Sequence, residues 1–181
     1  MTEHDDGSLP GQWPLRGDRV LLRPTTAEDV AALADIVAEP SVARWWPSYD
    51  AERVERDLVD DVPGERHYVI EQDGRVVGLI QSYEEEEPEF RHAGIDLFLA
   101  TDVQGKGLGP DAIATLARYL IDVRGHHRLT IDPAADNQAA IAAYRKVGFR
   151  PVGVMRAYQR LADGTWVDAL LMEMLADELV R

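Results

Sequence analysis

The chain has 181 residues, a calculated net charge of −14 and no cysteine. The length suits one compact domain with a sizeable core. The missing cysteine excludes disulfide bonds, a thiol nucleophile and thiolate metal sites. The acidic charge argues against nucleic acids and anionic membranes as partners, because phosphate binding relies on clustered Lys and Arg. The charge is compatible with a cationic ligand, although an acidic, solvated surface without a specific partner explains it more simply.

The N-terminus carries no recognisable targeting signal. It is acidic and no apolar run follows it, so it does not resemble a secretory signal. The sequence also lacks the ~18 consecutive apolar residues that a membrane-spanning helix needs. We therefore expect a soluble, cytoplasmic protein. Residues 1–17, which contain two prolines and several acidic residues, are predicted to form a flexible tail.

Short strands and helices alternate in the first half of the chain. Proline follows the first strand, and Pro40 is predicted to end the first helix. Asp73-Gly74 lies between two apolar runs and predicts a tight hairpin turn. The predicted elements are a strand over 19–24, a helix from 25 or 26 to 38, an aromatic loop or short helix over 42–49, a helix over 50–62, and strands over 68–70 and 76–80.

The second half begins with the acidic run 84–89. It is predicted to be a loop because like charges repel and Pro88 blocks strand pairing. The elements predicted after it are a strand over 93–100, a helix over 110–123, a strand over 128–132, a helix over 137–147 and strands over 149–159 and 166–175. This order predicts an α/β (α+β) fold with a mixed sheet covered by helices. With no repeat or linker visible, residues 18–181 are predicted to form a single domain.

A glycine-rich loop between a predicted strand and a predicted helix is the most informative segment. Its sequence is Gln104-Gly105-Lys106-Gly107-Leu108-Gly109. Glycines let the backbone curl around a ligand, and the free amides at the start of the following helix favour an anion. A phosphate or pyrophosphate is the usual ligand. The spacing fits neither a Walker loop nor a dinucleotide fingerprint, and a glycine-rich turn without a ligand is the alternative.

The helix over 137–147 carries polar side chains on a face that a core helix would make apolar. Asn137, Ile141 and Tyr144 recur at helical spacing. A buried asparagine or tyrosine needs a polar partner. Taken alone, the pattern is also compatible with a half-buried tyrosine that only packs.

Together the two segments resemble the GNAT family of acyl-CoA-dependent N-acyltransferases. The glycine loop matches that family's Q/R-x-x-G-x-G/A motif, and Asn137 to Phe149 matches N-x-x-A-x-x-x-Y-x-x-x-G-F. The resemblance implies a mixed sheet in which the fourth and fifth strands splay apart around acetyl-CoA. Here these would be the strands over 93–100 and 128–132. The coenzyme-binding residues that the resemblance implies are Phe98, Leu99, Ala100, Gln104, Gly105, Lys106, Gly107, Leu108, Gly109 and Asn137.

Within the family, the chain is most similar to the aminoglycoside 6′-N-acetyltransferases. The likeness lies in five segments: Trp45-Trp46, Gln81-Ser82-Tyr83, Gly94-Ile95-Asp96, Leu99-Ala100 and Asp132-Pro133. It implies that Asp96 binds the reacting amine or acts as its base, that Asp132 helps to bind the antibiotic, and that Tyr144 lies near the thioester sulfur. The glutamate-rich loop before Gly94 departs from the relatives, and no residue after Asp163 is assigned a role.

These residue types suit direct acetyl transfer in a ternary complex. An ammonium has no lone pair, so a carboxylate such as Asp96 can attract it and help to remove its proton. A strand amide near Phe98 or Leu99 is the predicted oxyanion donor, and Tyr144 is predicted to protonate the leaving thiolate. No covalent enzyme intermediate is needed, which agrees with the absence of cysteine.

The acceptor that the resemblance implies, an aminoglycoside, is a polycation, so its pocket should be lined with carboxylates and flat aromatic rings. The candidates for binding it are Trp45, Trp46, Tyr83, Glu86 and Asp132, although the acidic run is equally well explained as a solvated loop. Alternatives are another amine, such as a lysine-derived siderophore precursor or a protein lysine, or an acyl-CoA sensor without turnover. The histidines are scattered and predict no metal site. A monomer and a homodimer both remain possible from the sequence.

Overall fold

The computed structural model describes residues 13–59 and 64–180. Eight strands form one sheet in the order β1-β2-β3-β4-β5-β6-β8-β7, and β5–β6 is its parallel pair. The strands are β1 (Leu15–Arg16), β2 (Leu21–Pro24), β3 (Glu65–Gln72), β4 (Arg75–Glu85), β5 (His92–Leu99), β6 (Arg128–Ile131), β7 (Arg150–Arg160) and β8 (Trp166–Leu175). The helices are α1 (Val30–Val37), α2 (Pro40–Ala43), α3 (Ala51–Val54), α4 (Leu108–Asp122) and α5 (Gln138–Val147).

The predicted mixed α/β sheet is confirmed. Asp73 and Gly74 both have positive φ angles, as a tight hairpin turn between β3 and β4 requires. Along β4, the four consecutive residues 77–80 are buried, so the centre of the sheet is covered on both faces. The apolar sides of α1, α4 and α5 contribute to the same core.

Three predictions for the first 62 residues differ from the structure. The tail was predicted to reach residue 17, but Leu15–Arg16 pair with β2, and Trp13 stacks on Tyr68 at 4.6 Å. Residues 1–12 lie outside the described part of the chain. Pro40 does not end α1 but begins α2, because a first-turn proline loses no helical hydrogen bond. The predicted second helix continues from α3 into a π-helical turn over Glu55–Val59, and its predicted end at Val62 lies outside the described residues.

The acidic run is only partly a loop. Glu84 and Glu85 belong to β4, where they pair with Ala93 and His92 of β5. The buried Glu84 carboxylate accepts hydrogen bonds from His126 Nε2 at 2.6 Å and Arg124 Nη2 at 3.2 Å. Burial raises the pKa of Glu84, but His126 and Arg124 outweigh this effect, so its pKa lies below the usual value. The prediction of a loop was therefore wrong at Glu84 and Glu85, because both residues pair with β5, and partners 40 and 42 residues further along the chain hold the Glu84 carboxylate.

Candidate active site

The functional region begins where β5 and β6 part. Their parallel pairing consists of Ala93 with Leu129 and Gly94 with Thr130, and the two strands diverge beyond these pairs. A cleft of about 400 Å³, here called the β5–β6 cleft, opens between them. Its walls are residues 96–99 of β5, the glycine loop, the segment after β6 and one side of α5. The splay that was predicted between the strands over 93–100 and 128–132 is therefore present, between β5 and β6.

The glycine loop presents the start of α4 to this cleft. Gly107 has φ +86° and immediately precedes the first helical residue, a conformation that a residue with Cβ seldom adopts. The first amides of a helix have no partner within it, so they and the helix dipole favour an anion. Asp111, in the same first turn, accepts hydrogen bonds from the amides of Asp18, Arg19 and Val20. Its negative charge is thus engaged by other amides.

The predicted coenzyme-binding residues fall into two groups. The β5–β6 cleft is lined by Phe98, Leu99, Gln104, Gly105, Gly107, Gly109 and Asn137. Ala100, Lys106 and Leu108 are absent from its lining, and the Leu108 side chain is buried in the core. Gln104 Nε2 donates to the carbonyl of Leu99 at 2.8 Å, which ties the loop to β5. Asn137 caps α5, because its Oδ1 accepts from the amide of Ala140 at 3.2 Å.

The direction of the β5 amides narrows the choice of oxyanion donor. Ala100 N donates to Val77 O at 2.8 Å, so the backbone at Ala100 points towards β4. Since alternate residues of a strand point in opposite directions, the Phe98 amide also faces β4, whereas the Leu97 and Leu99 amides face the cleft. Of the two residues near which the donor is predicted, Leu99 therefore directs its amide towards the cleft and Phe98 towards β4.

Asp96 lines a second, larger cleft as well. This outer cleft has a volume of about 680 Å³ and is bounded by the tryptophan loop (Trp45–Tyr49), Gln81 of β4 and residues 159–164 at the β7–β8 turn. Asp96 stands opposite Gln81 in the β4–β5 ladder. Besides Asp96, the two clefts share Trp45, Trp46 and Gln159. The carboxylate therefore lies where the two spaces meet.

The environment of Asp96 suits a base that works near neutral pH. Burial raises its pKa to about 7, and the charge of Asp132 acts in the same direction. The amide of Leu97 donates to Asp96 Oδ1 at 2.8 Å and opposes this rise. None of the ion pairs among the described residues includes Asp96. The carboxyl group is thus free to accept a proton from a cationic ligand.

Tyr144 and Asp132 face Asp96 across the β5–β6 cleft. Burial and the charges of Asp96 and Asp132 raise the pKa of the Tyr144 hydroxyl, which keeps it protonated as a donor. Burial raises the pKa of Asp132, and the nearby Tyr158 hydroxyl opposes this rise. The structure therefore brings three predicted residues together and adds Tyr158. The sequence offered no local signal for Tyr158, because its role depends on β7 reaching across to β6.

The tryptophan loop spans the region between the clefts. The Trp46 ring meets Phe98 edge to face, with centroids 5.0 Å apart. Gln159 Nε2 donates to Trp45 O at 2.7 Å and ties the loop to β7. On the other side, Arg44 lies over the Trp45 ring and donates to Asp136 at 3.1 Å. Trp45 and Trp46 are thus placed at both clefts, as expected for residues close to the reacting groups.

Tyr83 and Glu86 lie further from the two clefts. The Tyr83 ring covers Gly94, where an added Cβ would come within 1.8 Å of a ring carbon, and its hydroxyl shares a hydrogen bond of 3.2 Å with Thr130. Tyr83 lies on the same sheet face as Asp96 but outside the lining of both clefts. Glu86 is exposed and also lies outside their lining, so the predicted acidic contribution of this run is absent from the two clefts.

The outer cleft carries charges of both signs. Its carboxylates are Asp96 and Asp163, and its cations are Arg53 and Arg160. Arg53 lies over the Tyr49 ring and donates to Asp57 at 3.0 Å, so its charge is largely compensated within the protein. The cleft is therefore open and aromatic but less acidic than the sequence predicted.

Comparison with known proteins agrees with this arrangement. A family model described as an acetyltransferase (GNAT) domain matches residues 19–150, and the chain therefore belongs to the GNAT acetyltransferase family. It is an amine N-acetyltransferase with acetyl-CoA as co-substrate.

Two curated relatives act on different amines. Spermidine N(1)-acetyltransferase of Escherichia coli K12 is 30% identical over 158 residues, which cover 84% of each chain. Aminoglycoside N(6′)-acetyltransferase type 1 of Klebsiella pneumoniae is 29% identical over 157 residues, covering 76% of this chain and 77% of the relative. The solved aminoglycoside acetyltransferase AAC(6′)-Ib, in complex with coenzyme A and kanamycin, superposes with a TM-score of 0.74 at 27% identity over 88% of this chain and 96% of that one.

Two further features concern cofactors and membranes. Within residues 13–59 and 64–180, no group of three His, Asp or Glu side chains converges to hold a metal ion. None of the helices described is long and apolar enough to cross a membrane.

Proposed function

We propose that this enzyme transfers the acetyl group of acetyl-CoA directly to a primary amine of a cationic small molecule within a ternary complex, with the 6′-amine of an aminoglycoside as the first candidate. One observation carries the proposal: Asp96 lies where the β5–β6 cleft and the outer cleft meet. A donor in one cleft and an acceptor in the other would have their reacting atoms side by side, which favours direct transfer.

In the donor half of the site, the pyrophosphate of acetyl-CoA is held by the amides at the start of α4. The pantetheine arm lies between β5 and β6, with the Leu99 amide available to the developing oxyanion. Lys106 and Leu108 contribute backbone groups rather than side chains, and Ala100 supports the loop from beneath. The supporting observations are the start of α4 at Leu108, flanked by Gly107 and Gly109 in the cleft lining, and the engagement of Asp111 by three other amides.

In the acceptor half, the reaction begins with an ammonium attracted to Asp96 and Asp132. Asp96 accepts a proton, directly or through water, and the neutral nitrogen attacks the thioester carbon. The carbon–sulfur bond then breaks, the amide remains on the acceptor, and the leaving thiolate takes its proton from Tyr144. The pKa of about 7 at Asp96 supports this role, because a base works best when its pKa is close to the working pH.

The size and aromatic walls of the outer cleft favour a bulky acceptor such as an aminoglycoside. Trp45, Trp46 and Tyr49 offer flat surfaces for sugar rings and attached ammonium groups. The net charge of −14 would attract a polycation over longer distances, with an effect that salt weakens. Spermidine is the second candidate, because the relative that acetylates it is as similar to this chain as the aminoglycoside enzyme.

A thiol-release assay tests the proposal. The protein is supplied with acetyl-CoA and, separately, with kanamycin, tobramycin, spermidine or free lysine. We expect turnover with the aminoglycosides and double-reciprocal plots that intersect, as a ternary complex requires. Turnover with spermidine alone supports the second candidate, and turnover with lysine alone supports another class of acceptor. Tight acetyl-CoA binding without turnover on any of these amines supports a sensor and contradicts the proposal.

A cellular measurement tests the biological role. Acetyl-CoA is made and used in the cytoplasm, so we propose that the reaction occurs there and confers aminoglycoside resistance. Expression in a susceptible bacterium should raise the inhibitory concentration of kanamycin. The Asp96→Asn variant, expressed to the same level, should not raise it.

A further inference from the structure

A tight turn between β1 and β2, residues 17–20, lies against the start of α4. The amide of Gly17 donates to Val20 O at 2.9 Å and closes the turn. A Cβ added at Gly17 would come within 2.6 Å of Thr115 Oγ1 and 2.7 Å of Asp111 Oδ2. Glycine therefore allows the turn to approach the helix more closely than a larger residue could.

Asp111 of α4 holds this turn in place. Its Oδ1 accepts from the amide of Asp18 at 3.0 Å, and its Oδ2 accepts from the amides of Arg19 at 2.8 Å and Val20 at 3.1 Å. Three consecutive amides thus converge on one carboxylate, and hydrogen bonds to a charged acceptor are stronger than those between neutral groups. The β1–β2 turn is therefore fixed to the helical turn that directly follows the glycine loop.

Arg19 extends this contact from the turn to the glycine loop itself. Its Nη1 donates to Lys106 O and would lie 3.3 Å from a Cβ added at Gly107. In a trans peptide, the carbonyl and the amide that follows it point in opposite directions. The bond at Lys106 O therefore fixes the direction of the Gly107 amide, which points away from Arg19. Gln104 holds the other end of the loop through Leu99 O at 2.8 Å.

We propose that the β1–β2 turn is a positioning element for the coenzyme, in which Asp111 anchors the turn and Arg19 holds the glycine loop in the shape that receives the pyrophosphate. The inference rests on the proposed place of the pyrophosphate at the start of α4. Gly107 lines the β5–β6 cleft, whereas Arg19 and Lys106 do not, so Arg19 acts through the loop. A glycine-rich backbone that is restrained before binding loses less conformational entropy when the ligand arrives.

Charge alone predicts the opposite role for Asp111. A carboxylate in the first turn of α4 repels a pyrophosphate at the start of the same helix. Its removal would then strengthen coenzyme binding. In the positioning role, removal of Asp111 releases the turn and the loop, so binding weakens. The sign of the change in affinity therefore decides between the two roles.

The first test measures the acetyl-CoA affinity of Asp111→Leu by calorimetric titration. We expect the Kd to rise by about tenfold, because three amides lose their common acceptor. Asp111→Asn keeps one acceptor oxygen and should show a smaller rise, and circular dichroism confirms that both variants fold. Asp35→Leu is the control, because it removes a negative charge from an exposed position of α1. An unchanged or lower Kd in Asp111→Leu and Asp111→Asn would overturn the proposal.

The second test compares two donors, acetyl-CoA and acetylpantetheine, which has the same thioester arm but no pyrophosphate. Arg19→Met should raise the Kd of acetyl-CoA by about fivefold to tenfold, even in about 0.5 M salt, which screens long-range attraction. The Kd of acetylpantetheine, followed by NMR titration, should not change. Arg16→Met is the control, because Arg16 is an exposed arginine of the neighbouring strand β1. Equal losses for both donors, or a loss that salt abolishes, would contradict a positioning role.

A combination of variants tests whether Asp111 and Arg19 act through one contact chain. In an Asp111→Leu background, Arg19→Met should cause little further loss of acetyl-CoA affinity, because the turn that carries Arg19 is already released. Fully additive losses would show that the two residues act independently and would reject the β1–β2 turn as the connecting element.

These titrations need no acceptor, so they separate this inference from the proposed function. Gly109→Ala adds a methyl group beside Leu99 inside the cleft and tests the coenzyme site without disturbing the turn. If Gly109→Ala weakens acetyl-CoA binding but Asp111→Leu and Arg19→Met do not, the coenzyme site stands and the positioning element is rejected. If all three weaken binding and no amine is acetylated, the transfer proposal fails and the positioning element stands.

Discussion

The β5–β6 cleft and the outer cleft share Asp96 but are built from the chain in different ways. The β5–β6 cleft comes mainly from two continuous segments, 96–109 and 132–146, and much of its chemistry lies in backbone amides. The outer cleft is assembled from side chains of the tryptophan loop, β4, β5 and the β7–β8 turn, which are far apart in sequence. A coenzyme that is always the same suits a fixed backbone site, whereas an acceptor that varies suits side chains on separate elements.

Asp96 belongs to both clefts, so its removal should have the largest effect. Asp96→Asn keeps the size of the side chain but cannot accept the proton. We expect kcat to fall by about 10²–10⁴-fold, with acetyl-CoA affinity within about twofold of wild type. Stopped-flow measurements of acetyl transfer and calorimetric titration with acetyl-CoA provide the two values. A variant with normal kcat would exclude Asp96 as the base.

Tyr144 should affect the chemical step alone. Tyr144→Phe removes the hydroxyl that protonates the thiolate but leaves a ring of nearly the same shape. We expect kcat to fall by about 10–10²-fold with little change in acetyl-CoA affinity. The loss should shrink when the thiol product is a better leaving group, which an acetyl thioester of lower thiol pKa would test. An unaltered rate would remove the acid role of Tyr144.

Gly109 tests the β5–β6 cleft separately from the outer cleft. An added Cβ would contact Leu99 at 3.5 Å, a normal distance, so Gly109→Ala should fold without strain. The methyl group would occupy cleft space beside Leu99, and we expect acetyl-CoA affinity to fall by about tenfold, the effect of about 1.4 kcal/mol. The acceptor KM at saturating acetyl-CoA should not change. A rise in acceptor KM of similar size would show that the two clefts are not independent.

Substitutions of Glu84 and Glu86 test whether these two residues of the acidic run have different roles, one in stability and the other only at the surface. Glu84→Gln leaves His126 and Arg124 without their charged partner, and we expect a loss of about 1–3 kcal/mol in the free energy of unfolding at pH 7. Glu86→Gln, a change at an exposed residue, should lie within about 0.5 kcal/mol of wild type. Urea denaturation gives both values. Equal stability of the two variants would contradict the Glu84 contact, and a changed acceptor KM in Glu86→Gln would restore Glu86 to the site.

The last expected effect concerns stability and pH. The folded pKa of Asp96, about 7, lies above the value of about 3.9 for an unfolded aspartate. Between these pH values the folded protein holds a proton that the unfolded chain has released, so Asp96 lowers stability as pH rises from 4 to 7. Asp96→Asn should therefore be more stable than wild type by about 1–3 kcal/mol at pH 8, and the gain should disappear near pH 4. A gain independent of pH would indicate that Asp96 is ionised throughout this range.

The contrast between the clefts also explains what the sequence could predict. The spacing of the glycines and the positions of Asn137 and Tyr144 are local sequence patterns. They predicted the splayed sheet and the β5–β6 cleft. Gln159 carries no such pattern, because its position depends on the pairing of β7 with β8. Glu84 was misassigned for the same reason, since its partners His126 and Arg124 lie in the connection between α4 and β6. A local motif is enough to predict a site that is built from backbone amides. The acceptor site could not be predicted in this way, because it depends on contacts between residues that are distant in sequence.

The most direct test of the central claim is a crystal structure with coenzyme A and kanamycin bound together. The account predicts the coenzyme sulfur beside Tyr144, between β5 and β6. It also predicts an acceptor amine within hydrogen-bond reach of Asp96, at about 3 Å or through one water. A coenzyme outside this cleft, or an acceptor held at Asp163 with no amine near Asp96, would contradict it.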